Sequence, residues 1–355
     1  MATSYLMIPK PQKMNTKSLT AFTYIFFSLL STSLFAQPEA CTLFDEEGMI
    51  KIKVTADLKA LFRDDEDDRE YHPAQFLFFQ DEDSVSIPVR TRVRGNFRRS
   101  LCKLPPLRLN FKDEDVEGTP MQGVDKIKMV LPCRWGSANY QNFILKEYLI
   151  YRMFNALTDT SFRVRLFEVT FQDSTDKIDA FTQYGFFIEP LEVLAARLDA
   201  FEYERVGVLP NATLSSQTNL LSVYQYMVGN TDWSIPSMHN IKMIKTDTFS
   251  RPLVIPYDFD WSGAVNPPYA QPNPKLDIKS VRERIYRGFC RPEKEMTLVY
   301  QRFEEAKDEI YAEIQTLEIM DDKERQRMER YIDEFFDVLE KPKRRNYVFM
   351  STCRK

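Results

Sequence analysis

Residues 229–240 read GNTDWSIPSMHN, and residues 254–263 read VIPYDFDWSG. Asp232, Asn240, Asp258 and Asp260 fall within these stretches, where the chain is too polar for a core. Two short apolar segments, NIKMI at 240–244 and PLVIPYD at 252–258, run between and around them and read as short strands. A pair of turns would account for the polar residues. So would a site that holds a metal and a phosphate, because carboxylates and an amide carbonyl are the oxygen donors that a small hard cation takes. The order Asp, Asn, strand, Asp has a specific chemical use. One carboxylate accepts the proton of an attacking hydroxyl, while an amide and a second carboxylate hold Mg²⁺ against phosphates.

Outward from these loops the chain divides into a β-rich part and a helical part. VSIPVRTRVRG at 85–95 alternates, with Val85, Ile87, Val89, Thr91 and Val93 on one face and Arg90, Arg92 and Arg94 on the other. Gly95 and Asn96 make a turn, and PLRLNF at 106–111 alternates again. Pro88 suits an edge position, since it cannot donate to a ladder. The basic face has a plain partner in the acidic run DDEDDRE at 64–70. KIKMVLP at 126–132 is another short strand. Residues 139–157 form a helix with Phe143, Leu145, Leu149, Met153 and Phe154 as its apolar stripe, and strands return at 163–171 and 184–190. The first half is therefore a sheet with one helix inserted. Beyond Leu191 helices dominate: 191–204, then 215–229 with Ser215 or Ser216 as N-cap, then a helical pair broken near Met320–Asp321. The fold class is α+β.

The composition sets bounds. The 355 residues are 43% hydrophobic and 28% charged, ordinary for a globular chain. A net charge of −4 does not favour nucleic acid as a partner. There are 10 glycines and no GxGxxG, Walker-type loop or GxSxG, so dinucleotide-fold and serine-hydrolase chemistry find no motif. Two histidines, His72 and His239, and no CxxC leave no Cys/His zinc pattern. Lys10, Lys13 and Lys17 precede the apolar run 21–36, which reads as a secretory signal over residues 1–36 cleaved after Ala36. The expectation is an exported protein, periplasmic or extracellular, without stable membrane insertion after cleavage. Cys102 and Cys133 flank two strands of the sheet and are expected to pair, and NAT at 211–213 fits a glycosylation sequon.

The paired stretches 229–244 and 252–263 resemble the motifs of the spore-coat CotH kinases and, more distantly, the GNxDxHxxN loop of HipA-type kinases. RVRGNFRRSLCKLPPLRLNF at 92–111 resembles the CotH strand pair, and YGFFIEPLE at 184–192 resembles the segment where the lobes join. The resemblance covers most of 85–265 and implies a two-lobed, protein-kinase-like fold, with a β-rich lobe over 37–190 and a mainly helical one over 191–355. It implies ATP and Mg²⁺ or Mn²⁺, with transfer to a protein or glycan hydroxyl. Asp232 matches the catalytic base, and Asn240 and Asp258 the metal ligands, with Asp260 as a further ligand or an acceptor for Arg. Lys103 matches the CotH lysine, whereas Lys128 precedes a helix as the strand lysine of protein kinases does, and Glu147 could pair with either. Arg94 lies at the expected phosphate turn. Phe187, Ile188 and Glu189 would contact the nucleotide between the lobes. Each residue also has a plainer reading: turn capping for Asp232 and Asn240, an exposed helix carboxylate for Glu147, a buried strand for 187–189. Two rival functions remain at this level, a nucleotide-binding pseudokinase and a non-catalytic cell-surface carbohydrate-binding or adhesion protein.

Overall fold

The alternation at 85–93 is one stave of a barrel. The computed structural model describes residues 41–64, 69–80, 83–95 and 97–355. The export signal expected over 1–36, Asn96 of the expected turn and residues 65–68 of the acidic run lie outside the described residues. Seven strands, β1 (Ile50–Ala56), β2 (His72–Gln80), β3 (Asp83–Val93), β4 (Leu107–Asn110), β5 (Lys126–Val130), β6 (Val164–Asp173) and β7 (Phe181–Ile188), follow the order β1-β2-β3-β4-β5-β7-β6 and close into a barrel. The sequence gives reason to expect a sheet but not its closure. Closure comes from one parallel pair, β1 on β6, with Ile52 opposite Val169; the other pairs are antiparallel. The alternating apolar residues fill the interior: Val54, Phe76, Leu109, Ile127, Val169 and Phe187 are all fully buried. Pro88 behaves as its ring demands. It pairs with Gln75 on β2, and β4 begins its pairing with β3 only at Arg90, so the missing N–H breaks no bond on that side.

Three short helices, α1 (Leu58–Arg63), α2 (Phe97–Leu101) and α3 (Asp113–Val116), connect the strands. The long helix α4 (Ala138–Leu157) packs against β6, β7 and the C-terminal helices. It is buried on more than the expected stripe, Lys146 and Glu147 included, because neighbours cover it from both sides. The helix expected over 191–204 is split into α5 (Leu191–Arg197) and a short strand β8 (Phe201–Glu202). Asp199 takes a left-handed φ of 49°, which stops the helix there. Next come α6 (Ser215–Met227), whose cap position is Leu214 rather than a serine, and the hairpin β9 (Ile241–Lys245) and β10 (Leu253–Pro256). The chain ends in α7 (Glu293–Glu305), α8 (Lys307–Gln315), α9 (Asp322–Glu340) and α10 (Pro342–Asn346). The break expected at Met320–Asp321 is present, with the Asp321 carboxylate accepting from the N–H groups of Lys323 and Glu324.

The apolar residues form one core inside the barrel, a second among α4, α6 and the C-terminal helices, and a small third around Trp233 and the β9–β10 hairpin. Cys102 and Cys133 are joined, as their flanking strands suggest, across a Cα–Cα distance of 4.5 Å. A second disulfide, Cys290–Cys353, was not foreseen, and Cys41 is a free, buried thiol. Among the described residues no helix is long and apolar enough to cross a membrane.

Candidate functional site

The loops quoted at the outset are tied together by the backbone. After α6, Gly229 turns the chain at φ 65° where no side chain fits: a Cβ there would lie 2.0 Å from Tyr331 Oη. The N–H groups of Gly263 and Ala264 then donate to the carbonyls of Gly229 and Val228, at 3.1 and 3.0 Å. The loop after β10 is therefore stitched to the loop before β9. Ser234 and His239 exchange N–H···O bonds of 2.9 and 3.0 Å, so residues 234–239 fold back as a closed finger. That finger explains how Asp232 and Asn240, eight positions apart, come to touch. Asn240 Nδ2 donates to the Asp232 carbonyl at 2.8 Å and to Asp232 Oδ2 at 3.1 Å. Both neighbours are acceptors, which fixes the amide and leaves its carbonyl oxygen for a ligand. His239 Nε2 lies 2.8 Å from Asp232 Oδ1, and Asn230 Oδ1 accepts from the Asp232 N–H at 2.9 Å. Arg287 donates to the carbonyls on either side of Asp232, those of Thr231 and Trp233.

Asp258 is held from the other direction. Its backbone, at φ 62°, donates to Tyr151 Oη at 2.8 Å. Tyr151 lies one helical turn beyond Glu147 on α4, so the same face of α4 carries Glu147 to the Asp258 loop. Asp260 is buried, and burial together with the Asp258 carboxylate pushes its pKa up to about 7. Glu147 is 2% exposed; burial and then Asp260 raise its pKa well above the carboxylate range, with Arg98 opposing. Among the described residues its Oε2 has no hydrogen-bond partner. The cations of the site face these acids. Arg94, at the end of β3, has its pKa lowered by burial, with Asp258 opposing and Arg108 adding to the shift. For Arg98, on α2, burial is outweighed by Tyr269, Asp260 and Glu147, which hold it protonated. Lys128, on β5, lies over the Tyr257 ring at 5.0 Å, and burial followed by Arg94 lowers its pKa to about 7. Rings of Phe97 with Trp261 and Tyr269, at 5.3 and 6.0 Å, press α2 onto the loop after Asp260.

The structure thus brings Asp232, Asn240, Asp258, Asp260, Glu147, Arg94 and Lys128 into one polar cluster. Lys103 and Glu189 stand elsewhere. Lys103 is exposed between α2 and β4. Both Glu189 oxygens accept from Arg197 at 2.9 Å, and Oε2 also accepts from the Arg163 N–H at 3.0 Å. Phe187 and Ile188 are buried, Phe187 in the barrel core. Glu147 meets neither lysine as its principal cation but Arg98 and Arg94. Sequence reasoning missed Arg98, Tyr151 and Arg287; the only trace of Arg98 was its place in the basic run RGNFRRS.

Among the described residues no three His, Cys, Asp or Glu side chains are already gathered at metal-binding distance. The donors that fit a divalent ion are two carboxylates, Asp258 and Asp260, with the Asn240 carbonyl oxygen. Mg²⁺ is commonly held so, with waters and phosphates completing the octahedron. A cavity of 610 Å³ between α4 and α9 shares α4 and the loop after Asp260 with the cluster but is lined by none of its charged residues.

No family model matches this chain, and no curated protein does. Among solved structures it is similar to "Crystal structure of the golgi casein kinase", at 10% identity and a TM-score of 0.34, over 88% of this chain and 79% of that one. A second, "crystal structure of the Golgi casein kinase with Mn/ADP bound", aligns at 10% identity and a TM-score of 0.33, over 88% and 78%. The likeness is slight, and what the site can do rests on its own residues.

Proposed function

We propose that this chain is an exported phosphotransferase of two-lobed, kinase-like architecture that uses ATP with Mg²⁺ or Mn²⁺ and acts on a protein or glycan hydroxyl. The observation that carries the reading is the joining of Asp232 and Asn240 by hydrogen bonds in one loop while Asp258 is anchored to α4 beside Glu147 in the other. A base and a pair of oxygen ligands at the two ends of one hairpin are the parts that phosphoryl transfer needs. Asp232 accepts the proton of the acceptor hydroxyl; His239 and Asn240 orient its carboxylate. Asp258, Asp260 and Asn240 hold the cation, which when bound neutralises charge on the phosphates. Burial of Asp260 and Glu147 beside Asp258 raises the pKa of both, so carrying negative charge there is costly, and a bound dication would relieve that cost. The two disulfides suit an oxidising compartment.

A second reading, a nucleotide-binding pseudokinase, has one observation in its favour: Glu147 faces arginines where active protein kinases form a Lys–Glu pair. Calorimetry of the purified protein with ATP and Mn²⁺ tests both. Binding that is abolished by chelator is the result expected of a metal–nucleotide site. Binding indifferent to chelator overturns the metal assignment, and metal-dependent binding without transfer of radiolabelled phosphate to any acceptor favours the pseudokinase.

A further inference from the structure

The cluster leaves guanidinium donors unused in its interior. Arg98 is 9% exposed, and Arg94 is half-buried at the end of β3. The Nε of each is buried with no hydrogen-bond partner among the described residues. An unpaired buried donor is costly, typically about 1–3 kcal/mol and more when charged, so such groups persist where a ligand or water completes them. Their placement is enforced from three sides. The disulfide Cys102–Cys133 ties the end of α2 to the chain after β5. The Phe97 ring packs on Trp261 and Tyr269, which brings its neighbour Arg98 to the Asp260 loop. Arg98 also donates to the Leu131 carbonyl, which fixes one arm of its fork and leaves the rest for another acceptor. Across from it stand Glu147, whose Oε2 is likewise unpartnered, and Asp258 and Asp260.

We infer that Arg98 and Arg94 form the phosphate clamp of this site, a part for which the sequence offered Arg94 with Lys103 or Lys128 but not Arg98. The inference rests on the nucleotide reading above and deepens it, making polyphosphate the feature of the ligand that the site recognises. The physical case is one of geometry and charge. A guanidinium keeps its charge when buried and presents a rigid fork that matches two phosphate oxygens, whereas a buried lysine sheds its proton. Lys128 shows that tendency, its pKa being lowered by burial and Arg94 to about 7. Lys103, being exposed, is not held against the acids at all. Glu147 then serves as a positioning residue that orients Arg98, and the carboxylates of Asp258 and Asp260 are left for the cation.

The test is displacement of the fluorescent nucleotide mant-ATP by ATP, ADP and AMP in the presence of Mn²⁺, on the full folded chain. Wild type is expected to bind more tightly as phosphates are added. Arg98→Gln should lower ATP affinity by about 10- to 100-fold, the range of one or two hydrogen bonds to charged groups, and should erase much of the preference for ATP over AMP. Arg94→Gln should do the same more weakly, and Lys103→Gln should change nothing. Circular dichroism checks folding; if Arg98→Gln does not fold, Arg98→Lys, which keeps the charge but not the fork, and Arg94→Gln carry the result. The clamp is overturned if these variants keep the wild-type ratio of ATP to AMP affinity, or if Lys128→Gln or Lys103→Gln is the one that removes it. A wild-type protein that binds no nucleotide overturns the functional reading itself, and that outcome is seen before any variant is made.

Discussion

Asp258 and Asn240 occupy left-handed backbone conformations at φ 62° and 51°, which a residue with a Cβ adopts at a cost of about 1–3 kcal/mol. Asp258 also adds negative charge beside Asp260 and Glu147. Stability alone would place glycine there. Asp258→Gly is therefore expected to raise the melting temperature by about 2 °C, the shift that roughly 1 kcal/mol produces in a chain of this order, while metal-dependent nucleotide binding is lost. A melting temperature below that of wild type, measured by scanning calorimetry, would show that Asp258 serves the fold rather than a ligand. At this scale much of the site was legible. Asp232, Asn240 and Asp258 lie within 30 residues, close enough for motif spacing to speak. Arg98 was not legible, because its place near Glu147 and Asp260 depends on how α2 is pinned by Phe97 and by Cys102, and no local pattern encodes that. Glu189 misleads in sequence for the same reason: its partner Arg197 is eight residues on, at the end of α5, an ion pair with a plain structural use.

Among the elements, the joint between α1 and the β6–β7 turn has one keystone. Asp173 is buried, and its carboxylate accepts from the N–H groups of Leu58, Lys177 and Ile178 and from the Thr175 hydroxyl, at 2.7–3.1 Å. Burial alone would raise its pKa; the donors from Lys177, Leu58 and Thr175 outweigh it and lower the pKa from 3.8 to about 2. A folded-state pKa below the unfolded one contributes stability that is fully present above about pH 4 and is lost as the pH falls through about 2. Asp173→Asn should flatten the stability profile over that interval and leave its shape above pH 5 unchanged; an acid limb as steep as that of wild type, in acid titrations followed by circular dichroism, would refute the assignment. The second disulfide is an element-scale device too. Cys290 and Cys353 close 63 residues, and Arg287, three residues before Cys290, grips the carbonyls beside Asp232. Replacing both cysteines by serine should cost about 4 kcal/mol by loop-closure entropy, read in urea unfolding, and a loss below about 1 kcal/mol would contradict it. Of these features the sequence showed strands and long helices through their periodicity. It did not show where α5 stops, because Asp199 ends that helix by backbone geometry while the apolar pattern runs on past it.

At the scale of the whole molecule, barrel closure joins β1 to β6 across more than a hundred residues, and no window of sequence carries that information. The consequence is a wall in which β3 and β5 present Arg94 and Lys128 toward the acids that the helical part supplies from α4 and the β9–β10 hairpin. Two sets of charges from distant parts of the chain meet in one cluster, where the proposed function has them serve a metal-bound nucleotide and a hydroxyl in separate roles. The measurement that tests this most directly compares Asp258→Ala with Asp232→Ala, for both ATP–Mn²⁺ affinity by calorimetry and transfer of radiolabelled phosphate. Asp258→Ala is expected to lose metal-dependent binding. Asp232→Ala is expected to bind ATP about as well as wild type but to transfer phosphate about 10²–10⁴-fold more slowly, since a base acts on the hydroxyl and in the transition state. Equal effects of the two substitutions on binding, or binding untouched by Asp258→Ala, would contradict it.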